Sequence, residues 1–83
     1  MTIHVKVLYF GRAREAAGKN EEDFSLPSAS SVGTLVELSV KAHRGLRVMH
    51  GAMRVAVNEE IAGEEERLAD GDVVALLPPV AGG

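Results

Sequence analysis

The chain has 83 residues, 46% of them hydrophobic and 25% charged, with a formal net charge of −3. That balance fits one globular domain with a single core and excludes a chain disordered throughout or one of several domains. The absence of cysteine excludes disulfides, thiolate metal centres and a cysteine nucleophile.

Residues 2–10 alternate as a half-buried strand does, with Ile3, Val5, Val7 and Tyr9 on one face. Thr2, His4, Lys6, Leu8 and Phe10 fall on the other face, which begins polar and ends apolar. Gly11 ends this strand, and residues 12–17 form a helical turn closed by Gly18. Residues 20–27 carry Phe24 and Leu26 in alternation, a second strand that Pro27 closes. Ser30 or Ser31 supplies an N-cap for a helix whose stripe is Val32, Leu35, Leu38 and Ala42, flanked by Val36. His43, Arg44 and Gly45 read as the helix end, and residues 46–52 carry no clear period. Alternation returns at residues 53–57, with Val55 and Val57 inward. Asn58, Glu59 and Glu60 read as a turn, and Ile61 with Ala62 as a short strand. Ala69, Asp70 and Gly71 form another turn. Residues 72–77 are the last strand, with Val74 and Leu76 inward and Val73, Ala75 and Leu77 outward, and Pro78-Pro79 ends the ladder.

Five strands around one main helix give a two-layer α+β domain with a mixed sheet, and the element order suggests a β-grasp. We divide the chain into a domain of residues 1–77 and an extended, flexible Gly-Gly tail of residues 78–83. No apolar run approaches the ~20 residues of a membrane span, and the amino terminus has no apolar segment behind a basic start. A soluble cytoplasmic chain with no membrane partner is expected.

Charge is segregated. Residues 1–56 carry eight Lys/Arg and five Asp/Glu, whereas residues 57–83 carry Arg67 alone against seven acids. Without a basic stripe or interleaved aromatics, a nucleic-acid partner is not expected. The acidic third favours a partner with a basic surface. His4, His43 and His50 have no metal-ligand spacing, so no metal site is expected. Neither phosphate-binding glycine motifs nor a nucleophile elbow occurs. The side chains form no self-sufficient active site.

The carboxy terminus is the distinctive feature. No side chain from Val73 to Gly83 is charged. Pro78 and Pro79 stiffen the exit, and Gly82 and Gly83 end the sequence without a Cβ. At average usage, Pro-Pro with a terminal Gly-Gly has a chance rate on the order of 10⁻⁵. Such a tail is a probe that fits a tunnel no wider than a backbone. Its unhindered carboxylate can attack the α-phosphorus of ATP, and a sulfur or nitrogen nucleophile can then take the acyl adenylate.

Val7-Leu8-Tyr9-Phe10-Gly11-Arg12-Ala13-Arg14-Glu15, residues 55–59 and the block of residues 68–83 together resemble the small subunits of molybdopterin synthases. The last block carries Asp-Gly-Asp, a hydrophobic strand, Pro-Pro-Val and Gly-Gly at fixed spacing, and Val73 departs from the polar or acidic residue common at its position. The resemblance implies a ubiquitin-like β-grasp and a sulfur-carrier role. Gly83 would be adenylated by an activating enzyme that uses ATP, then converted to a thiocarboxylate by a sulfur donor. The tail would insert into the large subunit of a heterotetramer and give sulfur to cyclic pyranopterin monophosphate. The chain itself would bind no cofactor and would be no enzyme alone. Gly82 and Gly83 are the reactive end. Leu8, Phe10, Ile61, Leu77, Pro78, Pro79, Val80 and Ala81 are the expected partner contacts, because the outward apolar set adjoins the tail. The rival readings are a sulfur carrier of thiamine synthesis, a ubiquitin-like modifier of lysines, and a β-grasp interaction domain with an inert tail.

Overall fold

The computed structural model describes residues 1–79. Its elements are β1 (Thr2–Tyr9), α1 (Gly11–Ala17), β2 (Glu21–Pro27), α2 (Val32–Ala42), a 3₁₀ helix (Arg44–Ala52), β3 (Arg54–Val57), β4 (Glu60–Ala62) and β5 (Val73–Leu77). The strands form one mixed sheet in the order β2-β1-β5-β3-β4. β5 lies parallel to β1 and antiparallel to β3, while the β1–β2 and β3–β4 pairs are antiparallel. This is the expected five-stranded α+β architecture, with α1 and the 3₁₀ helix added to the main helix.

The period-2 pattern of β1 decides which face is wet. Ile3, Val5, Val7 and Tyr9 are all buried, and Val74 and Leu76 of β5 lie beside them at 0% exposure. Val32 and Leu35 of α2, Leu46 of the 3₁₀ helix, and Leu26, Val55, Val57 and Leu68 complete the aliphatic core. Each fully buried side chain of this kind contributes about 1.5–3 kcal/mol.

Ser31 caps α2, its Oγ accepting from the Thr34 N–H at 3.2 Å. The buried stripe is Val32, Leu35, Val36 and Ser39, whereas Leu38 is half-buried and Ala42 exposed. This corrects the expected stripe. Each step of three residues falls about 60° short of a full turn, so Leu38 has already rotated off the face. Ser39 replaces it because its hydroxyl donates to the Leu35 carbonyl at 3.1 Å, which satisfies a buried polar group. The backbone N–H groups of Val32 and Gly33 donate to the Glu66 and Glu64 carbonyls at 2.9 and 3.0 Å. The acidic run thus folds over the positive end of α2, where its charge is favourable.

Residues 46–52 lacked a readable pattern because they belong to a 3₁₀ helix, whose i and i+3 side chains eclipse. Leu46 and Met49 turn inward on that period, while Val48 is 90% exposed. His50 belongs to this helix. The helix approaches α1 closely: a Cβ on Gly45 would meet the Ala16 Cβ at 3.0 Å.

A polar cluster joins β1, β2 and the end of α2. Tyr9 Oη donates to Glu22 Oε1 at 2.8 Å, and His43 Nε2 shares that oxygen at 2.7 Å. The Tyr9 and His43 rings meet edge to face at 5.7 Å. Burial raises the Tyr9 phenol, and the Glu22 hydrogen bond raises it further. Burial opposes ionisation of Glu22, but the hydrogen bonds from His43 and Tyr9, with the nearby Lys19 charge, hold its carboxyl below the ordinary 4.5. Tyr9→Phe is expected to cost about 1.5 kcal/mol of unfolding free energy, the worth of a hydrogen bond to a charged group. A depressed carboxylate stabilises above its unfolded value, and that stability is lost as pH falls through the folded one. Urea unfolding from neutral pH to about pH 3 should therefore show a loss below the ordinary 4.5 that Glu22→Gln does not share.

Candidate functional site

The sheet face opposite α2 carries no covering layer among the described residues. Register aligns Leu8 with Ala75, Ala75 with Ala56, and Ala56 with Ile61. Opposed residues project to the same face, so these four form one apolar row across four strands. Val73 and Leu77 lie on the same face of β5, one step to either side of Ala75. Glu21, which faces Leu8, closes the row at β2, where it binds Lys6 at 3.0 Å.

Phe10 follows β1 in extended conformation as the N-cap residue of α1, and it is 46% exposed. It lines two adjoining grooves. One, of about 430 Å³, is completed by Leu8, Asn58, Glu59, Val73 and Ala75. The other, of about 480 Å³, is completed by Gly11, Arg12, Glu15, Leu77, Pro78 and Pro79. The structure thus brings Leu8, Phe10, Leu77, Pro78 and Pro79 to one end of the face. Ile61, 64% exposed, stands at the far end of the row, three strand spacings or about 14 Å from Leu8. Val80, Ala81, Gly82 and Gly83 lie outside the described residues.

The histidines are separate. His4 contacts Asp70 at 3.5 Å in an exposed pair, His43 binds Glu22, and His50 lines a polar groove with Glu37, Glu64 and Arg67. Among the described residues, no three His, Asp or Glu side chains are grouped as metal ligands are.

Sequence reasoning placed a turn at Asp70 and Gly71 but missed what the acids there do. Asp70 Oδ1 accepts from the His4 N–H at 2.7 Å. Asp72 accepts from the Ala69 N–H at 2.8 Å and from the Asn58 side chain at 3.0 Å. Asn58 Oδ1 in turn accepts from the Val73 N–H at 3.0 Å. These bonds lock the entry of β5 between β1 and β3. The cue was present, because aspartates beside a turn glycine commonly bind backbone N–H groups.

A β2-β1-β5-β3-β4 sheet crossed by one helix, with its central strand running out past an uncovered apolar face, defines a ubiquitin-like β-grasp protein. The family model that matches, described as the ThiS family, covers residues 7–83, and the chain belongs to that family. A molybdopterin synthase sulfur carrier subunit of Mycobacterium tuberculosis is 40% identical over 82 residues, spanning 98% of this chain and 99% of the relative. Small archaeal modifier protein 1 of Haloferax volcanii superposes with a TM-score of 0.86 at 28% identity, covering 94% of this chain and 99% of that one. A protein–protein complex of subunits 1 and 2 of molybdopterin-converting factor from Helicobacter pylori contains a chain that matches with a TM-score of 0.66 at 32% identity, covering 98% of this chain and 100% of that one.

The two faces respond differently to substitution. Phe10→Lys is expected to change unfolding free energy by no more than about 0.5 kcal/mol. Leu76→Ala, at 0% exposure, should cost about 2–5 kcal/mol. Thermal melts of the two variants check this, and a Phe10→Lys loss as large as that of Leu76→Ala would place Phe10 in the core.

Proposed function

We propose that the chain is the sulfur-carrier subunit of a molybdopterin synthase and that Gly83 carries the sulfur. One observation supports this most: the central strand β5 ends at Leu77 beside Phe10, and the uncharged sequence to Gly83 continues from there. The kinship with the Mycobacterium tuberculosis sulfur carrier subunit points the same way. The reactive group is the terminal carboxylate. An adenylating enzyme joins it to AMP from ATP and releases pyrophosphate. A sulfur donor displaces AMP, leaving a thiocarboxylate. Sulfur then passes to cyclic pyranopterin monophosphate, and the carboxylate returns for another round. No side chain of this chain need act as acid, base or nucleophile. The large synthase subunit is the proposed occupant of the face formed by Leu8, Phe10, Leu77, Pro78 and Pro79, with Ile61 at its margin, and Val80 and Ala81 extend the contact. The two-subunit complex from Helicobacter pylori supports a partner of that kind.

A second reading has its own support. The likeness to a small archaeal modifier protein favours transfer of the Gly83 acyl group to lysines, with or without the sulfur role. A thiamine-type carrier would share the tail chemistry and differ in its acceptor.

Intact mass measured after incubation with the activating enzyme, ATP and a sulfur source should rise by the difference between sulfur and oxygen, localised to Gly83. Deleting Gly83 should abolish the gain and leave the melting curve unchanged. No gain with a competent activating enzyme would overturn the carrier reading. Higher-mass protein conjugates that vanish with the deletion would establish the modifier. Adding the pterin precursor and the large subunit separates the molybdenum branch from the thiamine branch.

A further inference from the structure

Gly11 holds φ at +50° as the backbone enters α1, a conformation that L side chains rarely adopt. A Cβ built there would stand 3.4 Å from Pro78 Cγ. The contact follows from register. Tyr9 lies beside Leu76 in the parallel ladder, so two residues on, Gly11 lies beside Pro78. The side-chain position left empty at Gly11 therefore faces the first residue after β5 at van der Waals distance.

Pro78 has little freedom of its own. Its ring fixes φ near −65°, and the proline that follows drives it toward an extended ψ. Leu77, also followed by proline, is restricted in the same way. The direction in which the chain leaves the sheet is then set by where the Pro78 ring rests. Phe10, Gly11, Arg12 and Glu15 border the same groove, and it is the empty Cβ position of Gly11 that meets the Pro78 ring.

We propose that Gly11 is a positioning residue for the tail: its missing side chain is the seat on which Pro78 rests, and this contact aims the residues beyond Pro79 into a partner's active site. The proposal rests on the carrier reading. A methyl group at Gly11 would meet the ring at ordinary contact distance, whereas a larger side chain would crowd and displace it. Small misplacements of a reacting group cost rate even when they arise far from the chemistry.

The test is a double-mutant cycle of Gly11→Asn and Pro78→Ala, read as kcat/KM for thiocarboxylate formation by the activating enzyme. Asparagine tolerates positive φ, and its side chain reaches past the methyl position toward the ring. Each single variant should lower kcat/KM about tenfold. The double variant should fall no further than the worse single, because without the ring the asparagine has nothing to displace. Any left-handed strain of Gly11→Asn should lower the melting temperature equally with and without Pro78, which separates strain from positioning. Effects that multiply to about 100-fold, or rates equal to wild type, would overturn the proposal. If Gly11→Asn fails to fold, Gly11→Asp replaces it, since aspartate also tolerates positive φ. Should the wild-type chain itself form no thiocarboxylate, the carrier reading fails separately. A nuclear Overhauser effect between Gly11 Hα and Pro78 Hγ then decides the contact: present, the seat stands; absent, it does not exist.

Discussion

The parallel pairing of β1 with β5 is the constraint on which the rest of the structure depends. It places the last strand at the centre of the sheet, next to the first. Parallel strands cannot be joined by a tight turn, so the segment between residues 10 and 72 must carry the chain back to the end at which β1 begins. β2 pairs on one side of the β1–β5 pair and β3 and β4 extend the other, while α1, α2 and the 3₁₀ helix pack on the core face. The lock on this arrangement is polar. Asp70 accepts from the β1 backbone, Gly71 N–H donates to the His4 carbonyl at 2.8 Å, and Lys6 N–H donates to the Asp72 carbonyl at 3.0 Å. Hydrophobic burial alone would not choose this register, because a slip of one residue reverses the faces while two slipped residues restore them.

The same pairing explains the uncovered face. Parallel strands are usually buried on both sides, yet α2 covers only one. On the other side, Leu8, Val73, Ala75 and Leu77 remain half-buried and Phe10 is half-exposed. A contiguous apolar surface on central strands is of the kind that marks an interaction site. The edges are protected in a different way. β2 presents Glu21 and Asp23 beside Lys6, and β4 has only three residues. Charged and short edges discourage strand addition, so the apolar face is better suited than the rim to receive a partner.

Much of this was legible in the sequence, and the limits have physical causes. The strands β1 and β5 declared themselves through alternation, and the turn chemistry at Ser31 and Gly18 marked the helix ends. The 3₁₀ helix did not, because its period of three matches neither template. The apolar row from Leu8 to Ile61 could be guessed only in part, since Ala56 and Ala75 join its ends by register and register is a tertiary fact. Tyr9, Glu22 and His43 gave no joint signal. Tyr9 read as core and His43 as a helix end, and only the packing of α2 against β1 and β2 brings them to one carboxylate. The tail was the clearest feature of all, because its meaning lies in what it lacks: charge, bulk and Cβ atoms.

These features divide the labour of a protein whose proposed reactive atom lies at its end. Such a chain needs no catalytic side chains. It needs a direction and a surface. The polar cluster of Tyr9, Glu22 and His43 lies on the core side, where it fastens α2 to the sheet near the end of β1. The apolar face lies on the other side, where a partner can hold it. Between them, the parallel ladder delivers Leu77 and Pro78 to Phe10 and Gly11. The sheet thereby fixes where the chain leaves its last strand. This separation leaves the outer face free of the demands of the core, so that Phe10 can change with little loss of stability while Leu76, on the other face of the same sheet, cannot.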